Sequence, residues 1–104
     1  MVKGVVIEEL KTGATKSIST DGVFVYIGMQ PRTDLLKGQV SLNEKEYITT
    51  DEELRTNLTG VYAAGDVRDK KVRQIATAVG DGAVAGLMAE KYIVERKANP
   101  SSLH

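Results

Sequence analysis

Apolar and polar positions are arranged differently along three stretches of the chain. Residues 2–10 read as a strand centred on Val5, Val6 and Ile7, and residues 15–20 read as its return, with Ile18 as the apolar member. Between them Lys11-Thr-Gly-Ala14 is a turn signal, because Gly13 tolerates positive φ. Asp21-Gly22 marks a second turn. Residues 23–27, Val-Phe-Val-Tyr-Ile, then form an unbroken apolar run, the pattern of a strand covered on both faces.

Pro31 ends that run. Thr33 or Asp34 is placed to cap a short helical turn through Leu35 and Leu36, and Gly38 to close it. Short strands are expected at residues 47–50 and 61–64, with a polar loop over residues 51–57. From about Lys71 to Arg96 the chain lacks proline. Ile75, Val79, Ala83, Leu87 and Tyr92 recur there at near-helical spacing, broadened by Ala76, Val84, Met88 and Ile93. Asn99-Pro100 is a stop signal. Gly80, Gly82 and Gly86 lie inside this helix. Each costs roughly 1 kcal/mol relative to alanine, which predicts close approach by another backbone or a planar ligand.

Composition narrows the picture by exclusion. The chain has 104 residues, which suits one small domain, and fourteen basic residues balance fourteen acidic ones. That balance leaves no footprint for nucleic acid or an anionic membrane. The absence of cysteine excludes zinc–thiolate sites, disulfides and a redox Cys-x-x-Cys within this chain, and fits a cytoplasmic setting. No apolar stretch is long enough for a membrane helix, and the N-terminus lacks the apolar core of a signal peptide. Tyr26, Tyr47, Tyr62, Tyr92, Met29 and Met88 read as packing or boundary residues. Glu52, Glu53, Lys70 and Lys71 read as solvated surface.

Chemistry is most plausible where the strand before Gly65-Asp66 meets the glycine-bearing helix. A helix start offers unpaired N–H groups and partial positive charge. Gly65 gives clearance for a ligand, Asp66 can accept from ligand hydroxyls, and Arg73 and Gln74 can aim backbone N–H groups at ligand oxygens. An ordinary Gly-Asp turn and helix cap is the plainer reading of the same residues.

Thr59-Gly-Val-Tyr-Ala-Ala-Gly-Asp-Val67, with Arg73-Gln74 seven residues beyond Asp66, closely resembles the second flavin motif of thioredoxin reductases. Asp21-Gly-Val-Phe-Val-Tyr-Ile-Gly-Met-Gln-Pro-Arg-Thr33 resembles the segment in which that family passes from its pyridine-nucleotide domain back to its flavin domain. Ala78-Val-Gly-Asp-Gly-Ala83 and Ala89-Glu-Lys-Tyr92 resemble its last helix. The resemblance implies an α/β fold: part of an FAD/NAD(P)-binding Rossmann-like domain, with an antiparallel hairpin or meander, then a strand and a long C-terminal helix. Residues 1–28 would belong to the NADPH-domain β-structure, 29–98 to the FAD domain, and 99–104 to a tail.

The resemblance also implies roles. Asp66 would hold the ribityl hydroxyls of FAD, with clearance from Gly65. Arg73, Gln74 and the backbone of Ile75 would contact its pyrophosphate side and pyrimidine edge, where the helix dipole favours negative charge on reduced flavin. Pro31 and Thr33 would lie near the interdomain crossing. The chain departs from the family by lacking both Gly-x-Gly-x-x-Gly fingerprints and the Cys-x-x-Cys pair. The expectation is therefore the C-terminal segment of an NADPH- and FAD-dependent, dimeric thioredoxin-disulfide reductase, inactive by itself. It would work with the missing N-terminal portion, or a self-associating copy, and a thioredoxin-like substrate. A ferredoxin–NADP reductase or alkyl hydroperoxide reductase flavoprotein is the nearest alternative, and a non-catalytic assembly module complementing a partner chain the other.

Overall fold

A computed structural model describes residues 1–99, so the tail expected beyond Asn99 lies outside the described residues. Strands β1 (Gly4–Glu8) and β2 (Thr15–Ser19) pair antiparallel with Val6 opposite Ser17. Gly13, at φ 74°, closes the loop by donating to the Glu9 carbonyl at 2.8 Å. A 3-10 turn at Asp34–Leu36 follows. Helix α1 (Ile75–Ala98) ends the described chain, and the Asn99 N–H donates to the Glu95 carbonyl at 2.8 Å. Hairpin first and long helix last is the expected order.

The middle differs from expectation. Residues 23–27 form no strand, and Phe24, Tyr26 and Ile27 are each more than nine-tenths exposed. A strand needs a neighbour to take its backbone groups, and none of the described residues pairs with this run. The strands expected at 47–50 and 61–64 shrink to isolated bridges: Ile48 with Leu42 and Arg68, and Tyr62 with Arg55. Helix α1 begins at Ile75 rather than Lys71. Thr33 is the N-cap of the 3-10 turn, its carbonyl accepting from the Leu36 N–H at 2.9 Å, but its side chain makes no cap bond; it is fully buried, and its hydroxyl donates to the Glu46 carbonyl at 2.7 Å.

Order in the middle comes from two loops of the same design. In one, Asn43 Oδ1 accepts from the N–H groups of Lys45 and Tyr47, the Asn43 carbonyl accepts from Glu46, and Glu46 sits at φ 70°. In the other, Asp51 Oδ1 accepts from Glu53 and Arg55, the Asp51 carbonyl accepts from Leu54, and Leu54 sits at φ 64°. Each is an Asx turn whose fourth residue takes the left-handed conformation. Between them they fold the chain around Val40, Ile48 and Ala63, with Leu36, Leu42 and Val67 packed at the edge.

The helix faces this small core with an unexpected side. Its half-buried positions are Thr77, Ala78, Asp81, Ala85, Met88, Ala89 and Tyr92. The stripe of Ile75, Val79, Ala83 and Leu87 is exposed instead. Close backbone approach selects the small face. A Cβ on Gly65 would lie 3.8 Å from that of Ala78, and one on Gly60 would lie 3.2 Å from the Tyr92 ring. Gly80, Gly82 and Gly86, expected to mark such an approach, have open space where a side chain would stand. The described chain is long, 68 × 27 × 23 Å, with a radius of gyration of 21.2 Å. A compact domain of this size has about 13 Å.

Candidate functional site

The turn after residue 64 is built on Gly65, whose φ of 87° is one an L side chain rarely adopts. The Gly65 carbonyl accepts from the Arg68 N–H at 3.1 Å, so residues 65–68 form a tight turn with Asp66 at its first corner. Pairing on Ile48 fixes the far limb: the Ile48 N–H donates to the Val67 carbonyl at 2.9 Å, and the Asp69 N–H to the Ile48 carbonyl at 2.8 Å. Gly65 is buried and Asp66 exposed.

The two aspartates near this turn have opposite surroundings. The Asp66 carboxylate makes no hydrogen bond or ion pair with any described residue. Asp66 is among the residues lining an open cavity of about 280 Å³, with Met29, Gln30, Pro31, Arg32, Tyr47 and Val67. Asp81, on the inner face of α1, is saturated. Its Oδ2 accepts from the Gly65 N–H at 3.0 Å, Arg68 Nε at 3.1 Å and Lys70 Nζ at 2.9 Å, and its Oδ1 from Arg68 Nη2 at 3.3 Å. The Arg68 guanidinium, then Lys70 and the Gly65 N–H, hold the Asp81 carboxyl well below the usual carboxylate range against the opposing effect of burial.

Arg73 closes the turn from the other side. Its Nε donates to the Asp66 carbonyl and its Nη2 to the Arg68 carbonyl, both at 2.9 Å. The guanidinium lies 3.7 Å from the centroid of the Tyr47 ring. Gln74 is extended, at φ −137° and ψ 161°, and precedes the first helical residue. Its N–H donates to Thr77 Oγ1 at 3.0 Å, so that group is spent within the helix start. Ile75 opens the helix with its side chain exposed. Of the expected site residues, Arg73 is bonded to the Asp66 carbonyl, and Asp66 and Pro31 line the cavity; Gly65, Arg73, Gln74 and Ile75 do not. Thr33 is buried and does not line it.

Sequence reasoning missed part of this arrangement. Lys70 is not solvated surface: its side chain is 9% exposed and paired with Asp81. Tyr47 is buried as expected but also underlies Arg73, whereas Tyr26 and Met29 are exposed rather than packed. One signal for Asp81 was present, since it lies three residues after Ala78 and four before Ala85 on the small face of the helix. Among the described residues no acidic or histidine cluster could hold a metal ion, and no helix is long and apolar enough to cross a membrane.

Comparison with known proteins gives this geometry a context. The pyridine nucleotide-disulphide oxidoreductase family model matches residues 2–82. A protein of Clostridium pasteurianum described as a 34.2 kDa protein in the rubredoxin operon is 53% identical over 92 residues, covering 88% of this chain and 30% of that one. The thioredoxin reductase of Listeria innocua is 51% identical over 85 residues, covering 82% of this chain and 27% of its own. The crystal structure of Lactococcus lactis thioredoxin reductase superposes with a TM-score of 0.73 at 42% identity, covering 89% of this chain and 31% of that chain. The resemblance to thioredoxin reductases is borne out, and the chain spans about three tenths of the length of these relatives.

Proposed function

The chain belongs to the pyridine nucleotide-disulphide oxidoreductase family, and on that premise we propose that it supplies one wall of the FAD site of an NADPH-dependent thioredoxin-disulfide reductase. The observation that carries this reading is Asp66, whose carboxylate has no bond to a described residue, lining a cavity on a turn that Asp81 and Arg73 hold in place. A carboxylate with both oxygens spare is suited to two neighbouring hydroxyls, the pattern of a ribityl chain. Gly65 keeps the approach clear of a Cβ. The first turn of α1, starting at Ile75, presents N–H groups and partial positive charge to ligand oxygens. These residues fit the group.

FAD, when bound, supplies the two-electron carrier between NADPH and a disulfide. What this chain contributes is binding and orientation. Asp66 would accept hydrogen bonds from the ribityl hydroxyls, Ile75 with its helix start would offer N–H groups to the pyrimidine edge, and Arg73 holds the Asp66 carbonyl and with it the turn. Without cysteine the chain cannot carry the redox disulfide, so that pair belongs to another polypeptide segment, as does thioredoxin-like substrate recognition. Residues 1–28 are assigned to the NADPH-domain type and 29–98 to the FAD-domain type. Supporting that division, β1 and β2 contact each other but neither the 3-10 turn nor α1. The cytoplasm is the compartment this activity implies.

The test is a flavin-fluorescence titration of the chain, alone and mixed with the N-terminal portion of a homologous thioredoxin reductase. Quenching is expected in the mixture, and Asp66→Ala should weaken it about tenfold or more. Flavin binding that ignores Asp66→Ala would overturn the assignment.

A further inference from the structure

Asp81 grips both ends of the turn that carries Asp66. Its Oδ2 takes the Gly65 N–H, at the turn's first residue, and its two oxygens take Nε and Nη2 of Arg68, at the last. Lys70 reaches the same Oδ2 from just beyond the turn. Arg68 spends its remaining nitrogen, Nη1, on Thr50 Oγ1 at 3.0 Å, tying the cluster to the core segment. The Asp81 side chain is 13% exposed and that of Arg68 18%, so water competes weakly for these bonds.

We infer that Asp81 is a positioning residue of the flavin site: from helix α1 it fixes the turn at residues 65–68 on which the Asp66 carboxylate is left free to meet a ligand. The inference rests on the Asp66 reading above and adds a residue to it. Two observations carry it independently of charge. The bond to Gly65 constrains a backbone that is already in the left-handed region, where small changes in φ redirect the next residue. The Arg73 bonds to the carbonyls of Asp66 and Arg68 hold two further peptide units of the same turn. With three peptide units of the turn held, the backbone that carries the carboxylate is set before any ligand arrives, and a preorganised acceptor binds more tightly than one that must be ordered.

The experiment uses the full chain with Asp81→Asn, Asp81→Ala and, as a control of comparable instability, Leu54→Ala. Amide hydrogen exchange at Gly65, read by NMR without flavin, should quicken about tenfold in Asp81→Ala and less in Asp81→Asn, which keeps one acceptor. FAD affinity, measured with the complementing N-terminal portion, should fall about tenfold in both Asp81 variants and about twofold or less in Leu54→Ala. Unchanged Gly65 exchange in Asp81→Asn and Asp81→Ala would overturn the inference, whether or not the chain binds flavin. So would faster exchange with flavin affinity kept, or an affinity loss that Leu54→Ala reproduces. If Asp66→Ala has no effect on flavin either, the failure is that of the proposed site. If Asp66→Ala weakens flavin and the Asp81 variants do not, only the role of Asp81 falls.

Discussion

Residues 33–73 contain isolated bridges and one 3-10 turn, yet they hold every buried hydrophobic side chain among the described residues: Val40, Tyr47, Ile48, Leu54 and Ala63. Strands β1 and β2 and helix α1 are regular and bury none completely. The irregular region is ordered because Asn43, Asp51 and Thr33 satisfy backbone groups that no ladder reaches. The regular elements satisfy their own backbones but leave Ile7, Ile75, Val79 and Leu87 in water. Regular hydrogen bonding and burial are separate sources of order here, and the turn at residues 65–68 is attached to the buried one.

That contrast predicts where substitutions matter. The largest effect is expected at Ile48, which is 4% exposed and whose backbone N–H and carbonyl both bond to residues 67–69. Ile48→Ala should cost about 3 kcal/mol. Val25→Ala, the same kind of truncation in the exposed run, should stay within about 0.5 kcal/mol. Denaturant titration followed by NMR signals from residues 40–68 measures both, and equal losses would erase the distinction.

Acid should act next most strongly, through Asp81. Its carboxyl is held below the usual range in the folded chain, while an unfolded aspartate titrates near about 3.9. The stabilisation is therefore complete above about pH 4 and is lost as pH falls through the folded value. Asp51 adds to the same limb. Burial opposes its ionisation, but hydrogen bonds from the Arg55 backbone and side chain outweigh that and lower it. With its carboxylate 41% exposed, its share should fade in salt. Asp81→Asn should cost about 2 kcal/mol at pH 7 and flatten the decline below pH 4. An unaltered acid limb in that variant would place the loss elsewhere.

The sequence made the two ends of the chain legible and the middle poorly so. Gly13 between two short apolar stretches marks the hairpin, and a proline-free stretch closed by Asn99 marks the helix, because both signals are local. Residues 23–27 misled because an apolar run reports a need for cover and not the presence of a neighbour. The helix face misled in the same way: Ile75, Val79 and Leu87 mark where apolar surface is, whereas packing against Gly60 and Gly65 required Tyr92 and Ala78. For the candidate site, the motif singled out Gly65, Asp66 and Arg73, which the structure brings together at one turn. The Asp81 pairings with Arg68 and Lys70 are between residues 13 and 11 apart and depend on how the helix rests on the turn.

A smaller loss, about 1 kcal/mol, is expected for Asn43→Ala. It removes the acceptor for the N–H groups of Lys45 and Tyr47 while leaving the backbone bonds of that loop in place. Thermal unfolding detects it, and Asn43→Asp should restore most of it.

The finest comparison sets Glu46 against Leu54, which hold the same left-handed corner of the two matching loops, at φ 70° and 64°. Glycine relieves about 1 kcal/mol of strain at such a position but gives the unfolded chain more freedom, so the backbone gain is partly cancelled. At Glu46 the side chain adds only a contact with Lys37 at 2.7 Å, which raises the lysine pKa but joins two groups on the surface. Glu46→Gly should therefore come out near neutral, stabilising by about 0.5 kcal/mol at most. At Leu54 the same change also removes a side chain that is 4% exposed, and the lost burial of about 2 kcal/mol outweighs the relief. Thermal melts of the two variants should therefore move in opposite directions, or one move while the other stays. A matching loss at both positions would mean that the corner's side chain, and not its burial, holds these loops.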